Sequence, residues 1–134
     1  MNAFNLSKKI LITGAAGFIG AATSKELLKR GFTVIGLDDL NNYYDVNLKK
    51  SRLNFIENSA NKSKWKFFKF GIEDDSQLEK IFNNFRPEIV INLAAQAGVR
   101  FSIKEPKKYI SSNLVGFSNI LEMCRNYDVQ NFIY

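Results

Sequence analysis

Lys9-Ile10-Leu11-Ile12-Thr13-Gly14-Ala15-Ala16-Gly17-Phe18-Ile19-Gly20 decides the fold. Its opening residues form a short apolar run without polar alternation, as in a strand buried on both faces. Three glycines follow at the spacing G-x-x-G-x-x-G. Gly14 suits a tight turn, Gly17 lets backbone approach a phosphate, and Gly20 lets a helix pack closely on the sheet. From Ile19 to Arg30 the apolar residues have helical spacing, and Gly31 suits a C-terminal cap. A strand, a glycine turn and a helix in this order offer unpaired N–H groups and a partial positive charge to a pyrophosphate. Asp38 ends the next strand, Thr33–Asp38, 18 residues after Gly20. That is close to the spacing of about 20 at which an acid meets a ribose hydroxyl. The pattern predicts a dinucleotide site. Asp38 and Asp39 would repel a 2′-phosphate, and no Lys or Arg follows until Lys49, which favours NAD over NADP.

Further along, Trp65–Phe70 reads as a third strand. Ser76-Gln77-Leu78-Glu79 has the form of a capping box and opens a helix to Phe85. Arg86-Pro87 breaks that helix, and Glu88–Asn92 is a fourth strand. Pro106 can begin a helix running to Tyr127, with Ile110, Leu114, Phe117, Leu121 and Cys124 along one face. Asn131–Tyr134 starts a fifth strand. Apolar strands separated by helices predict an α/β, doubly wound, Rossmann-type parallel sheet with helices on both faces. Ligands of such sheets lie beyond the carboxyl ends of the strands.

Composition narrows the possibilities. A chain of 134 residues suits one domain, 1–134, with a core large enough to need no disulfide or metal. With no His and one Cys (Cys124), zinc sites, disulfide frameworks and imidazole-based catalysis are excluded. Gly14–Ala22, the longest apolar stretch, is too short to span a membrane, and Met1–Lys9 lacks the apolar core of a secretory signal. A cytoplasmic protein is expected. The net charge of +6 equals the balance of Asn47–Lys69 alone, seven basic residues against Glu57. Basic residues interleaved with Phe55, Trp65, Phe67, Phe68 and Phe70 suit a single-strand nucleic-acid platform. No RNA-module motif accompanies them, so a solvated Asn/Lys/Ser-rich loop entering a strand is the expectation.

Four segments carry a resemblance. They are the glycine turn, Leu37-Asp38-Asp39-Leu40-Asn41-Asn42-Tyr43-Tyr44, Asn92-Leu93-Ala94-Ala95-Gln96-Ala97-Gly98-Val99-Arg100, and Asn113-Leu114-Val115-Gly116. Together they resemble the extended short-chain dehydrogenase/reductase family, in particular its NAD-dependent nucleotide-sugar epimerases and dehydratases. The resemblance runs from Lys9 to Tyr134 and is nearest to the UDP-glucuronate 4-epimerases. It implies that Gly14, Gly17, Phe18, Ile19 and Gly20 cradle the pyrophosphate. Asp38, Asp39 and Asn42 would hold the adenosine ribose, and Leu93, Ala94 and Ala95 would pass beneath the cofactor. Asn113 would brace that loop or touch the cofactor. Arg100, helped by Ser102, would meet an anionic sugar nucleotide at the cleft mouth. Members often dimerise through helices, which here implies the 106–127 helix.

Two features depart from the resemblance. The family usually has Asp-Ile or Asp-Leu after the third strand, where the acid reaches the adenine amine. Here Gly71-Ile72 stands there, so Ile72 lines the base pocket by its backbone and the carboxylate is lost unless Glu73 or Asp74 moves in. Weaker base binding, improved by Gly71→Asp, is expected. The family's C4 oxidation and hydride return also needs a tyrosine with a lysine four residues on. Tyr43, Tyr44, Tyr109 and Tyr127 are followed at that distance by Asn47, Leu48, Asn113 and Asn131. No catalytic residue is therefore assigned, and the chain is expected to be an inactive N-terminal part of an epimerase, shortened in the fifth strand. Another epimerase or 4,6-dehydratase of the family is one alternative. A non-enzymatic dinucleotide- or nucleic-acid-binding module is the other.

Overall fold

The computed structural model describes residues 7–134; Met1–Leu6, and with them most of the segment read for a secretory signal, lie outside. The buried apolar run makes β1 (Lys9–Thr13), and the glycine turn leads into α1 (Phe18–Lys29). There follow β2 (Thr33–Asp38), α2 (Val46–Ser59), β3 (Trp65–Lys69), α3 (Asp75–Phe85) and β4 (Ile89–Asn92). Two one-turn helices come next, α4 (Phe101–Lys104) and α5 (Pro106–Tyr109). A π-helical segment, Ile110–Gly116, then runs into α6 (Phe117–Asn126), and β5 (Asn131–Ile133) closes the series.

The five strands form one parallel sheet in the order β3-β2-β1-β4-β5. Alternate residues of each strand supply two cores. Ile10, Ile12 and Val34 pack with Ala21 of α1 and Ile56 of α2 on one side. Leu11, Ile35, Leu37 and Val90 pack with Leu78, Ile81 and Phe82 of α3 and Ile120 and Met123 of α6 on the other. Both faces are thus covered, which is why the strands read as continuous apolar runs. The chain leaves β1 toward β2 and later returns to its other side as β4, so a crevice opens at the carboxyl ends between them.

Three expectations are corrected. The Asn/Lys/Ser-rich stretch is not a loop: its first part is α2, 14 residues long and capped by Asp45, whose side chain accepts from Asn47 N. The cap of α3 is Asp74, accepting from Gln77 N at 3.1 Å, and not Ser76. The helix expected over Pro106–Tyr127 is not continuous. Its middle widens into the π segment, and the apolar face read along it divides: Ile110, Leu114 and Leu121 are exposed by 55%, 65% and 42%, while Phe117 and Cys124 are partly buried, Cys124 against the core. Gly116, Ile120 and Met123 are the residues that pack inward. The close approach is at Gly116, where a Cβ would stand 2.5 Å from Ile72 Cγ1.

Candidate functional site

The glycine turn builds the floor of the crevice. Gly14 has φ +69°, and a Cβ there would stand 2.8 Å from the Leu93 carbonyl carbon, so only glycine fits between the ends of β1 and β4. A Cβ on Gly20 would lie 2.1 Å from Gly14 O, which fixes how closely α1 approaches the turn. Within the turn, Gly17 N donates to Gly14 O and Ala15 N to Leu37 O, each at 3.0 Å. The helical ladder of α1 begins with Ala21 N on Gly17 O, and no side chain caps the helix. The N–H groups of Phe18, Ile19 and Gly20 therefore have no acceptor among the described residues. Three open donors at a helix N-terminus form an anion seat.

Asp38 closes the neighbouring side. It is 7% exposed, and its two oxygens accept from Ala16 N (3.1 Å) and Leu40 N (2.9 Å). Burial pushes its carboxyl above the usual aspartate range, opposed by the Leu40 N–H, the nearby Lys49 charge and the Ala16 N–H. Lys49 was missing from the expected site. It is 4% exposed, 3.8 Å from Asp38 Oδ1, 3.2 Å from Asn41 Oδ1 and 4.8 Å from the Tyr44 ring centre. The basic charge of Asn47–Lys69 thus enters the site, contrary to its reading as a solvated feature. Arg52 likewise reaches Ala16 O (3.3 Å) and Tyr44 Oη (3.0 Å). In sequence Lys49 lies 11 residues beyond Asp38, but α2 folds it back. Lys49 sets a positive charge beside Asp38, so repulsion of an anion by Asp38 is weaker than the bare sequence implied.

The loop after β4 forms the opposite wall. Thr13, buried at the end of β1, donates to Asn92 Oδ1 (2.5 Å) and accepts from Leu93 N (3.1 Å) and Ala94 N (3.0 Å). Asn113 reaches the same loop from the π segment: its Oδ1 accepts from Gln96 N at 2.7 Å and its Nδ2 donates to Gln96 O at 3.1 Å. Both backbone groups of Gln96 are held by one side chain. Asn113 braces the loop and does not line the crevice.

The sequence-derived residues divide accordingly. Gly14, Gly17, Asp38, Asp39, Ile72, Leu93, Ala94 and Ala95 line one crevice together with Lys49, Tyr43, Tyr44 and Glu73. Asn42 lines an adjoining hollow with Phe101 and Lys108. Phe18 and Ile19 offer backbone only, their side chains being 80% and 62% exposed. Ile72 has its side chain in the core, leaving its backbone to the crevice. Arg100 and Ser102 are not brought in: Arg100 is exposed at the start of α4, and the Ser102 hydroxyl donates to Val99 O at 2.5 Å. Gly71 leaves no gap, because a Cβ there would meet the two Glu73 carboxylate oxygens at 2.3 and 2.4 Å. Burial pushes the Cys124 thiol up to about 11, so it is no nucleophile at neutral pH.

The sequence pattern of the family described as GDP-mannose 4,6 dehydratase matches residues 11–134. The chain belongs to that family. Protein CapI of Staphylococcus aureus is 52% identical over 126 residues, 94% of this chain and 36% of that protein. The UDP-glucuronate 4-epimerase of Thermodesulfobacterium geofontis is 42% identical over 92% of this chain and 37% of its own length. Among solved structures, the UDP-glucose 4-epimerase of Thermus thermophilus in complex with NAD has a TM-score of 0.76 at 34% identity, over 94% of this chain and 36% of that one. The chain spans just over a third of the length of these relatives. Members of the family are NAD-dependent nucleotide-sugar epimerases and dehydratases, and the five-stranded Rossmann sheet is theirs. Among the described residues no helix is long and apolar enough to cross a membrane.

Proposed function

We propose that residues 1–134 are the NAD-binding part of a nucleotide-sugar 4-epimerase of the cytoplasm, acting on UDP-glucuronate, and that they do not turn over substrate alone. The observation that carries the cofactor reading is the meeting of three open N–H groups on α1 with the Asp38 carboxylate at the next strand end. Phe18, Ile19 and Gly20 would bind the pyrophosphate through their N–H groups. Asp38 would accept from the adenosine ribose in its charged form, which Lys49 and the Leu40 N–H favour against burial, while Asp39 and Asn42 edge that ribose. Leu93, Ala94 and Ala95 leave room for the dinucleotide to cross above β4. When bound, NAD supplies a reversible hydride acceptor; this chain's residues orient it and shield it from water.

At the base end, the Glu73 carboxylate fills the space above Gly71 and accepts no hydrogen bond from the described residues. It is the acceptor we assign to the adenine amine, backed by the Ile72 main chain. This reading replaces the weak base binding expected from Gly71.

UDP-glucuronate is preferred over other sugar nucleotides because relatives named as its 4-epimerase are 42% and 44% identical to this chain. Arg100 and Ser102 would meet the sugar nucleotide only after the loop that carries them turns inward. The absence of a tyrosine four residues before a lysine supports inactivity of these residues alone. NAD titrated calorimetrically into the chain should bind at one site, and the chain mixed with NAD and UDP-glucuronate should form no epimer. Epimer formation would overturn the second claim, and absence of NAD binding the first. An oligonucleotide that binds at low salt and is released steeply by added salt would favour the nucleic-acid reading instead.

A further inference from the structure

The loops after β2 and β4 meet above the crevice. Tyr43, from the β2 loop, is 42% exposed, yet its hydroxyl sits directly on Gly98 of the β4 loop: a Cβ added there would stand 1.8 Å from Tyr43 Oη. The Tyr43 ring also packs on Phe101 with 5.3 Å between centres and a tilt of 50°, and Phe101 meets Tyr109 at 6.4 Å. Both distances lie in the range of favourable tilted aromatic pairs.

The two ends of this bridge are held differently. On the β4 side, Asn113 fixes both backbone groups of Gln96, and the Tyr109 hydroxyl donates to Ala97 O (2.8 Å) and Gly98 O. On the β2 side, Tyr43 is held locally by one long bond from its N–H to Asn41 Oδ1, 3.3 Å. The β4 loop is a fixed post, and Tyr43 is the part able to swing. Its position matters because Tyr43 lines both the main crevice and the hollow beside it. A dinucleotide seated on α1 and Asp38 and crossing toward β4 passes between these two loops.

We propose that Tyr43 is a strap over the dinucleotide cleft, latched on Gly98 and Phe101, which must lift for a dinucleotide to enter or leave. It retains the ligand by slowing exchange in both directions, a role distinct from that of a contact that strengthens binding. The proposal rests on the cofactor reading above.

The test is stopped-flow measurement of NAD association and displacement on the 134-residue chain. Losing an aromatic pair of this geometry should accelerate opening about two- to twelvefold. Tyr43→Ala is expected to raise the association and dissociation rates together by such a factor. Phe101→Ala should do the same, and the double variant should add little, because both remove one latch. Tyr43 and Phe101 are partly exposed, and unchanged thermal unfolding would verify that the fold is kept. A rise in dissociation alone, with Kd weakened in proportion, would make Tyr43 an ordinary contact and overturn the strap. Unchanged rates would overturn it too. If the unaltered chain binds no NAD at all, the cofactor reading fails first and the strap with it.

Discussion

Asp38 and Lys49 are both nearly buried and face each other at 3.8 Å. Removing one member of a buried pair leaves the other charge without compensation, at a cost of about 3–5 kcal/mol. Lys49→Met should therefore lower Tm by about 10 °C or more in a thermal melt. The same substitution should weaken NADP more than NAD, because the cation paired with Asp38 has gone; parallel calorimetric titrations measure this. The carboxyl of Asp38 also sets a pH dependence. Its value is raised by burial, so the folded chain holds the proton more tightly than the unfolded chain does. The stability this contributes is present below the unfolded value and is lost as pH rises through the folded one. The proposed ribose contact would use the charged form and run the other way. NAD affinity should fall on acidification at a pH above the usual aspartate range, and Asp38→Asn should flatten that profile. At the base end, Gly71→Asp would push aside the Glu73 carboxylate that already occupies the space. No gain in NAD affinity is expected from it, while Glu73→Ala should weaken NAD by about tenfold, the worth of one charge-assisted hydrogen bond.

Elements were legible where burial writes a simple pattern. β1, β2 and β4 are apolar on successive residues because helices cover both faces, and Gly14 and Gly20 sit where backbone atoms would collide with a Cβ. α2 was not legible. Only Lys49 and Ile56 of its 14 residues are buried, so no apolar stripe marks it, and its buried lysine reads as solvent-exposed. The π segment was hidden for another reason. Its wide turn answers demands from elsewhere in the chain, Asn113 on Gln96 and Gly116 on Ile72, which no local periodicity contains. Thr13 was passed over as the last residue of a strand, although its hydroxyl joins β1 to the β4 loop. At this scale Asn113 is the residue to test. Asn113→Ala removes both bonds on Gln96, so hydrogen exchange should quicken across Gln96–Gly98 while β1 and β2 keep their protection.

Among the described residues, an apolar strip that the core does not use runs along the π segment and α6. Ile110, Leu114 and Leu121 lie outward along the π segment and α6, with Val115 beside them. We propose that a second copy of the chain covers this strip, in keeping with the homodimer expected from the 106–127 segment. Sedimentation should then show mass rising with concentration, and Leu114→Glu with Leu121→Glu should return a monomer. A monomer at every concentration would remove the dimer without touching the cofactor site, since neither leucine lines the crevice.

In the proposed site the α1 N-terminus and Asp38 together hold the pyrophosphate and the ribose of an adenosine diphosphate unit. Calorimetric titration of NAD into the unaltered chain and into Asp38→Ala tests it most directly. One site should fill in the unaltered chain, with affinity weaker by about tenfold or more in Asp38→Ala, the scale expected when a charge-assisted bond is lost. Equal affinity in the two proteins, or no heat from either at millimolar NAD, would contradict the account.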